Sequence, residues 1–188
     1  MASVQTVVQS TPNPNAFKFV VNSPVKTEGN VTYRSAAECQ NNALAESIFS
    51  VANVTEVYFY DNYITITQDG AADWEDMEDQ IKSIIADQFA QHDPNFVVEV
   101  KDDPFAADDD PELAKINEVL DRTIRPALQM DGGDLAIYAL QDNVLTINYQ
   151  GACGSCPSST MGTLQAIEGI LREEYHPDIT VKMAEALG

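Results

Sequence analysis

Along the first hundred residues the apolar positions switch between a period near two and a period near 3.6. Val4–Val8 and Ala16–Val21 read as strands, separated by Thr11-Pro12-Asn13-Pro14-Asn15, where two prolines fix φ and two asparagines favour turns. Ser35–Phe49 reads as a helix with Ala37, Leu44 and Ile48 on one face. Val57–Tyr60 and Tyr63–Thr67 are β-rich runs, and Asp61-Asn62 between them suits a two-residue hairpin turn. Asp73 is placed to cap a helix that runs to Phe89 with Ile81, Ile84, Ile85 and Phe89 inward, and Phe96–Val100 reads as a closing strand.

The second half is patterned as clearly. Asp110-Pro111-Glu112 has the chemistry of a helix start, followed by an apolar stripe of Leu113, Ile116, Leu120 and Ile124, and Pro126 ends or kinks that helix. After a turn at Asp131-Gly132-Gly133-Asp134, strands are expected over Leu135–Leu140 and Val144–Tyr149, with Asp142-Asn143 between them. A helix then carries Met161, Leu164, Ile167, Leu171 and Tyr175 at spacings of three or four, Pro177 stops it, and Ile179–Met183 closes as a strand. Between the halves lies KDDPFAADDDP, acidic and poor in apolar groups, the composition of a linker. The expectation is two α+β domains, 1–100 and 111–188, joined by an acidic linker at 101–110. Each is an antiparallel or mixed sheet covered by two helices, the second in the order α-β-β-α-β.

Composition narrows the function classes. The chain has 188 residues, is 44% hydrophobic and carries a net charge of −20. A polyanion is repelled by such a surface, so nucleic acid is not an expected partner, and an anionic membrane is disfavoured for the same reason. The N-terminal MASVQTVVQSTPNPN has neither a basic-then-apolar leader nor an Arg-rich stretch, and no apolar run approaches the ~20 residues of a membrane span, so a cytoplasmic chain is expected.

Three cysteines, Cys39, Cys153 and Cys156, are too few and odd in number for a secreted disulfide framework. Cys153 and Cys156 stand apart, because a C-x-x-C pair in a Gly/Ser turn between strand and helix lets both sulfurs face one point. Pro157 suits the first helical position, and the N–H groups and dipole of the helix start favour thiolates. Gly151 and Gly154 leave room near the backbone for a bulky group. Two inert core cysteines would not be set in such a turn. Three readings remain. Dithiol exchange needs one pair, whereas structural zinc and an iron–sulfur cluster need four ligands and hence a second chain, as in a two-fold dimer. Spacing alone does not rank them.

The residues around the pair resemble a known family. Ile124-Arg125-Pro126-Ala127-Leu128, Asp131-Gly132-Gly133-Asp134, the run Gly151–Thr160 with both cysteines, Leu164 and Glu168-Gly169-Ile170 occur in the order found in the C-terminal domain of NifU, the Nfu-type cluster scaffold. Residues 1–100 resemble the Nfu N-terminal domain more loosely, through Thr11–Asn15 and the Tyr58–Thr67 hairpin. The resemblance implies a [4Fe–4S] cluster held between two subunits, with Cys153 and Cys156 at the family's ligand positions, and its transfer to apo-proteins. The implied partners are a second copy, a cluster donor scaffold and apo iron–sulfur clients, with no substrate turned over. Without the other domains of full NifU proteins, a carrier is expected rather than a self-contained assembly platform.

Other residues receive plainer readings. Cys39 is expected as an incidental, exposed thiol off the Leu44/Ile48 face. His92 and His176 are expected near helix ends as surface groups or dipole partners. Asp131 and Asp134 are expected as turn formers rather than metal ligands, and Trp74 as a packing residue.

Overall fold

The computed structural model describes residues 4–39, 42–98, 111–154 and 157–184, with the side chains of 157–160 left aside. The chain divides into two compact units, Met1–Glu99 and Val100–Gly188, each with its own core. The linker expected at 101–110 and the capping Asp110 lie outside the described residues.

In the first unit five strands form one antiparallel sheet in the order β1-β2-β5-β4-β3: β1 (Thr6–Ser10), β2 (Ala16–Val21), β3 (Lys26–Tyr33), β4 (Val54–Asp61) and β5 (Tyr63–Gln68). Tyr60 pairs with Tyr63, so Asp61-Asn62 is the two-residue turn of the β4–β5 hairpin, and Asp61 takes φ +43 to close it. The expected helix over Ser35–Phe49 is broken. A single 3-10 turn covers Ala36–Glu38, and α1 (Ala43–Phe49) starts afresh because the Asn42 side chain accepts from Ala45 N at 3.0 Å. Helix α2 (Trp74–Gln88) begins where expected, with the Asp73 carboxylate accepting from Glu75 N. Leu44 and Ile48 of α1 and Met77, Ile81 and Ile85 of α2 cover the sheet face made by Phe19, Val57, Phe59, Ile64 and Ile66. Trp74 is a packing residue: its ring stacks on Phe17 at 4.3 Å and its Nε1–H donates to Pro14 O.

Two further departures from the sequence reading lie at the strands of this unit. Phe96–Val98 forms no strand, and residues 99–100 lie outside the described set. Phe96 instead packs edge-on against Phe59 and His92. The strand β3 was not foreseen, since KTEGNVTY buries only Val31 and Tyr33 and holds Gly29 at φ +68 within a bulge.

The second unit runs α3 (Pro111–Thr123), α4 (Arg125–Met130), β6 (Gly133–Gln141), β7 (Val144–Gly151), α5 (Pro157–Glu174) and β8 (Thr180–Met183). Its sheet order is β6-β7-β8, antiparallel then parallel, so the mixed sheet and α+β class hold with one extra short helix. Pro126 is the reason: it ends α3 and sits in the first turn of α4, where its missing N–H costs nothing. Asp142 and Asn143, at φ +50 and +61, make the tight β6–β7 turn. Ile116, Leu120, Leu128, Leu135, Leu145, Ile147, Ile167 and Leu171 fill the core, whereas Met161, expected in the stripe, is 72% exposed. Glu168 of α5 ties down edge strand β8 by accepting from Val181 N at 2.9 Å and pairing with Arg172 at 2.7 Å. No helix among the described residues is long and apolar enough to cross a membrane.

Candidate functional site

Cys153 follows the end of β7 and is buried in the second core, while Cys156 lies outside the described residues. The strand end is turned by Gly151 at φ +61, a conformation that glycine adopts without penalty, and Gly154 N donates back to Gly151 O at 3.0 Å. Helix α5 then starts at Pro157, directly after the second cysteine, so its N-terminal dipole end faces the loop.

The floor under Cys153 is the start of β6. Gly133 pairs with Gly151, Asp134 pairs with Gln150, and Ala152 N donates to Gly132 O at 3.2 Å. A Cβ placed on Gly133 would stand 2.6 Å from Cys153 Sγ, 2.6 Å from Gln150 O and 3.0 Å from Cys153 N. The sulfur thus occupies space that only a glycine leaves open. Tyr149, close by, has its phenol pushed up to about 12, by burial first and then by the Cys153 sulfur, with Thr163 acting the other way.

Asp134 departs most from the sequence reading. It is 3% exposed and belongs to a strand, not a turn. Its Oδ1 accepts from Leu135 N at 2.7 Å and lies 3.5 Å from Arg125 Nε, and its Oδ2 accepts from Gln129 Nε2 at 3.1 Å. Burial raises its pKa above the ordinary carboxylate value, while Gln129, Leu135 N and Arg125 oppose the shift. Arg125 is anchored in turn by Asp121 and by Asn117 Oδ1, the latter at 2.9 Å. Arg125 and Asp134 stood in two separate sequence motifs. The available signal was a charged residue in the first two positions of each of two elements, but nothing local pairs them.

The other candidates do not join this site. Asp131 is exposed at the end of α4, and no group of three or more His, Cys, Asp or Glu arranged for a metal occurs among the described residues. Cys39 is not an exposed thiol: it is 1% exposed in the first unit's core, its Sγ lies 3.5 Å from Ser35 O, and burial, then Glu38 and Glu46, push it up to about 12. That makes it a poor thiolate and a poor ligand. His92 is a structural strut, its Nε2 lying 2.7 Å from Val25 O among the rings of Phe59, Phe89 and Phe96. His176 Nδ1 accepts from Asp178 N in the turn after α5.

Comparison with known proteins gives an independent line. Residues 4–92 match the family model for the scaffold protein Nfu/NifU N terminal, and residues 116–182 match that for the NifU-like domain. The chain is 33% identical over 173 residues to the human mitochondrial NFU1 iron-sulfur cluster scaffold homolog, an overlap of 91% of this chain and 68% of that protein. It is 31% identical over 169 residues to NifU-like protein 4, mitochondrial, of Arabidopsis thaliana, with 87% and 60% covered. Among solved structures, the solution NMR structure of a NifU-like protein from Saccharomyces cerevisiae matches with a TM-score of 0.45 at 20% identity, over 52% of this chain and 87% of that one. The chain thus spans 60% and 68% of the length of the two named relatives. The expected cytoplasmic location is overturned, since these relatives are mitochondrial by name. The sequence argument had rested on a missing leader, and a missing signal carries no positive information about compartment.

Proposed function

The chain belongs to the Nfu/NifU family of iron–sulfur cluster scaffolds, and from that premise we propose that it carries a [4Fe–4S] cluster held between two copies by Cys153 and Cys156 of each. The cluster is cargo, passed on to apo-proteins. The observation that supports this reading most is the combination of a sulfur seated in a glycine-lined cradle with a shortage of other ligands. A cluster takes four thiolates, and no further metal-binding group occurs among the described residues. A two-fold axis beside the loop supplies the other pair. The anionic, thiolate-bound cluster also gains from the N-terminal end of α5.

On this reading the chain turns over no substrate. Its partners are a cluster donor and apo iron–sulfur clients, and its place of action is the mitochondrion, as for the relatives. The first unit, which holds one cysteine and one histidine, Cys39 and His92, serves docking of clients or donors.

Cluster binding and dimerisation are coupled, because a ligand that binds only the dimer shifts association by mass action. Sedimentation of apo and anaerobically reconstituted protein, with iron and sulfide analysis, tests this. The expected result is a larger particle on reconstitution, with four irons per two chains. A monomer that keeps a full cluster without added small thiols would refute it. Rapid reduction of insulin disulfides would favour dithiol exchange, and zinc without sulfide would favour a structural dimer.

A further inference from the structure

The segment that forms the floor of the cysteine loop is conformationally loose by composition. Gly132 sits at φ +83 and Gly151, across the ladder, at φ +61, and Gly133 lies between Gly132 and the rest of β6. Glycine has the widest backbone freedom, so side-chain sterics do not hold these positions. Yet the contact they make with Cys153 is tight, leaving no room for even one methyl group at Gly133. The ladder to β7 and the Ala152 N–Gly132 O bond hold this backbone from one side, and a polar side chain beside it adds a second hold.

Asp134 is the first residue after those glycines, and its carboxylate is gripped from two directions. Gln129, the last residue but one of α4, donates to Oδ2, Leu135 N donates to Oδ1, and the Arg125 guanidinium stands 3.5 Å from Oδ1 as its charge partner, without a hydrogen bond to it. Arg125 opens α4 and is itself fixed to Asn117 and Asp121 on α3. A chain of polar contacts therefore runs from α3 through α4 to the residue beside Gly133, and Gly133 touches the sulfur.

A buried ion pair gives little stability over apolar side chains of the same size, and in some proteins its worth lies in fixing one arrangement. We propose that Arg125 and Asp134 are positioning residues for Cys153: the pair locks the Gly132–Gly133 backbone in register and so sets where the Cys153 sulfur is presented to the cluster. This rests on the cluster-carrier reading for its purpose, though not for its geometry.

The test uses the full-length apo chain. Alkylation of Cys153 by iodoacetamide is followed by peptide mass spectrometry in wild type, Asp134→Asn, Arg125→Lys and Ile179→Val. Ile179 is a core residue just before β8, near the hairpin end of β7 and away from the loop, so its variant reports the effect of lost stability alone. Asp134→Asn and Arg125→Lys are expected to raise Cys153 alkylation about tenfold, the scale seen when partners behind a metal ligand are removed, beyond any rise in Ile179→Val at equal loss in thermal midpoint. The half-life of the reconstituted cluster against an iron chelator is expected to shorten by a similar factor. Alkylation of both variants at a rate no greater than that of Ile179→Val overturns the proposal. If Asp134→Asn does not fold, Arg125→Lys, which keeps the charge but loses the planar fork, decides alone. Failure of the cluster reading shows separately, as wild type that takes up no iron and sulfide, and leaves the alkylation comparison intact.

Discussion

Replacing Gly133 by alanine adds one methyl group where no room is left for it. The new Cβ would stand 2.6 Å from Cys153 Sγ and 2.6 Å from Gln150 O, about 1 Å inside the roughly 3.5–4.0 Å at which heavy atoms attract. The sulfur can swing away, but Gln150 O belongs to β7 and is held by the ladder to β6. Gly133 does not need a positive φ, so the cost is steric and not conformational. Overpacking of this kind costs about 1–3 kcal/mol, which for a unit of this size lowers the thermal midpoint by roughly 4–8 °C per kcal/mol. Gly162→Ala is the matched control. It lies in α5 with nothing within 4 Å of the added methyl, and removing a helical glycine stabilises by about 0.5–1 kcal/mol. The two variants, identical in chemistry, should move in opposite directions in thermal unfolding. Gly133→Ala should also retain less iron and sulfide, because its sulfur is displaced, while Gly162→Ala loads like wild type. Equal stability and equal loading of Gly133→Ala and wild type would show that the cradle does not hold the sulfur.

Cys153→Ala and Cys156→Ala should each abolish cluster loading, since either removes two of the dimer's four thiolates, while Cys39→Ala should leave iron and sulfide content unchanged; loss of cluster only in the Cys39 variant would move the site. Cys39 also predicts a pH effect. Its folded pKa is raised from 9.0 to about 12, so the folded state holds the proton longer than the unfolded chain. Its stability contribution is intact below pH 9 and falls as pH rises from there toward 12. Urea unfolding at pH 8 and pH 11 should show wild type losing more stability than Cys39→Ala over that interval; equal losses would contradict the burial argument. A fragment of residues 105–188, which contains all of the second core, should fold and hold a cluster, with slower or less selective transfer to apo-proteins than the full chain; a fragment unable to load would refute the proposed division of labour.

Much of the fold was legible because its signals are local. The Asp61-Asn62 and Asp142-Asn143 turns, the Asp73 cap and the apolar spacing of α2, α3 and most of α5 each depend on residues within one or two turns of one another. The C-x-x-C spacing, its glycines and Pro157 are local signals too, sitting within a few positions of one another. What the sequence left undecided depends on partners far along the chain. KTEGNVTY has no apolar alternation and becomes β3 only because β4 offers it a ladder. Cys39 and Asp134 have polar or ambiguous neighbours in sequence, and only packing buries them. Met161 keeps the helical spacing of its stripe, yet it is exposed where Leu164 and Ile167 turn into the core. Periodicity says that one face is apolar; it does not say where along the helix that face meets a neighbour. The contact of Gly133 with Cys153 and the pairing of Arg125 with Asp134 are of the same kind. Each joins residues from different elements, and the distance between them is set by the path of the backbone through the fold, a quantity that no local pattern encodes.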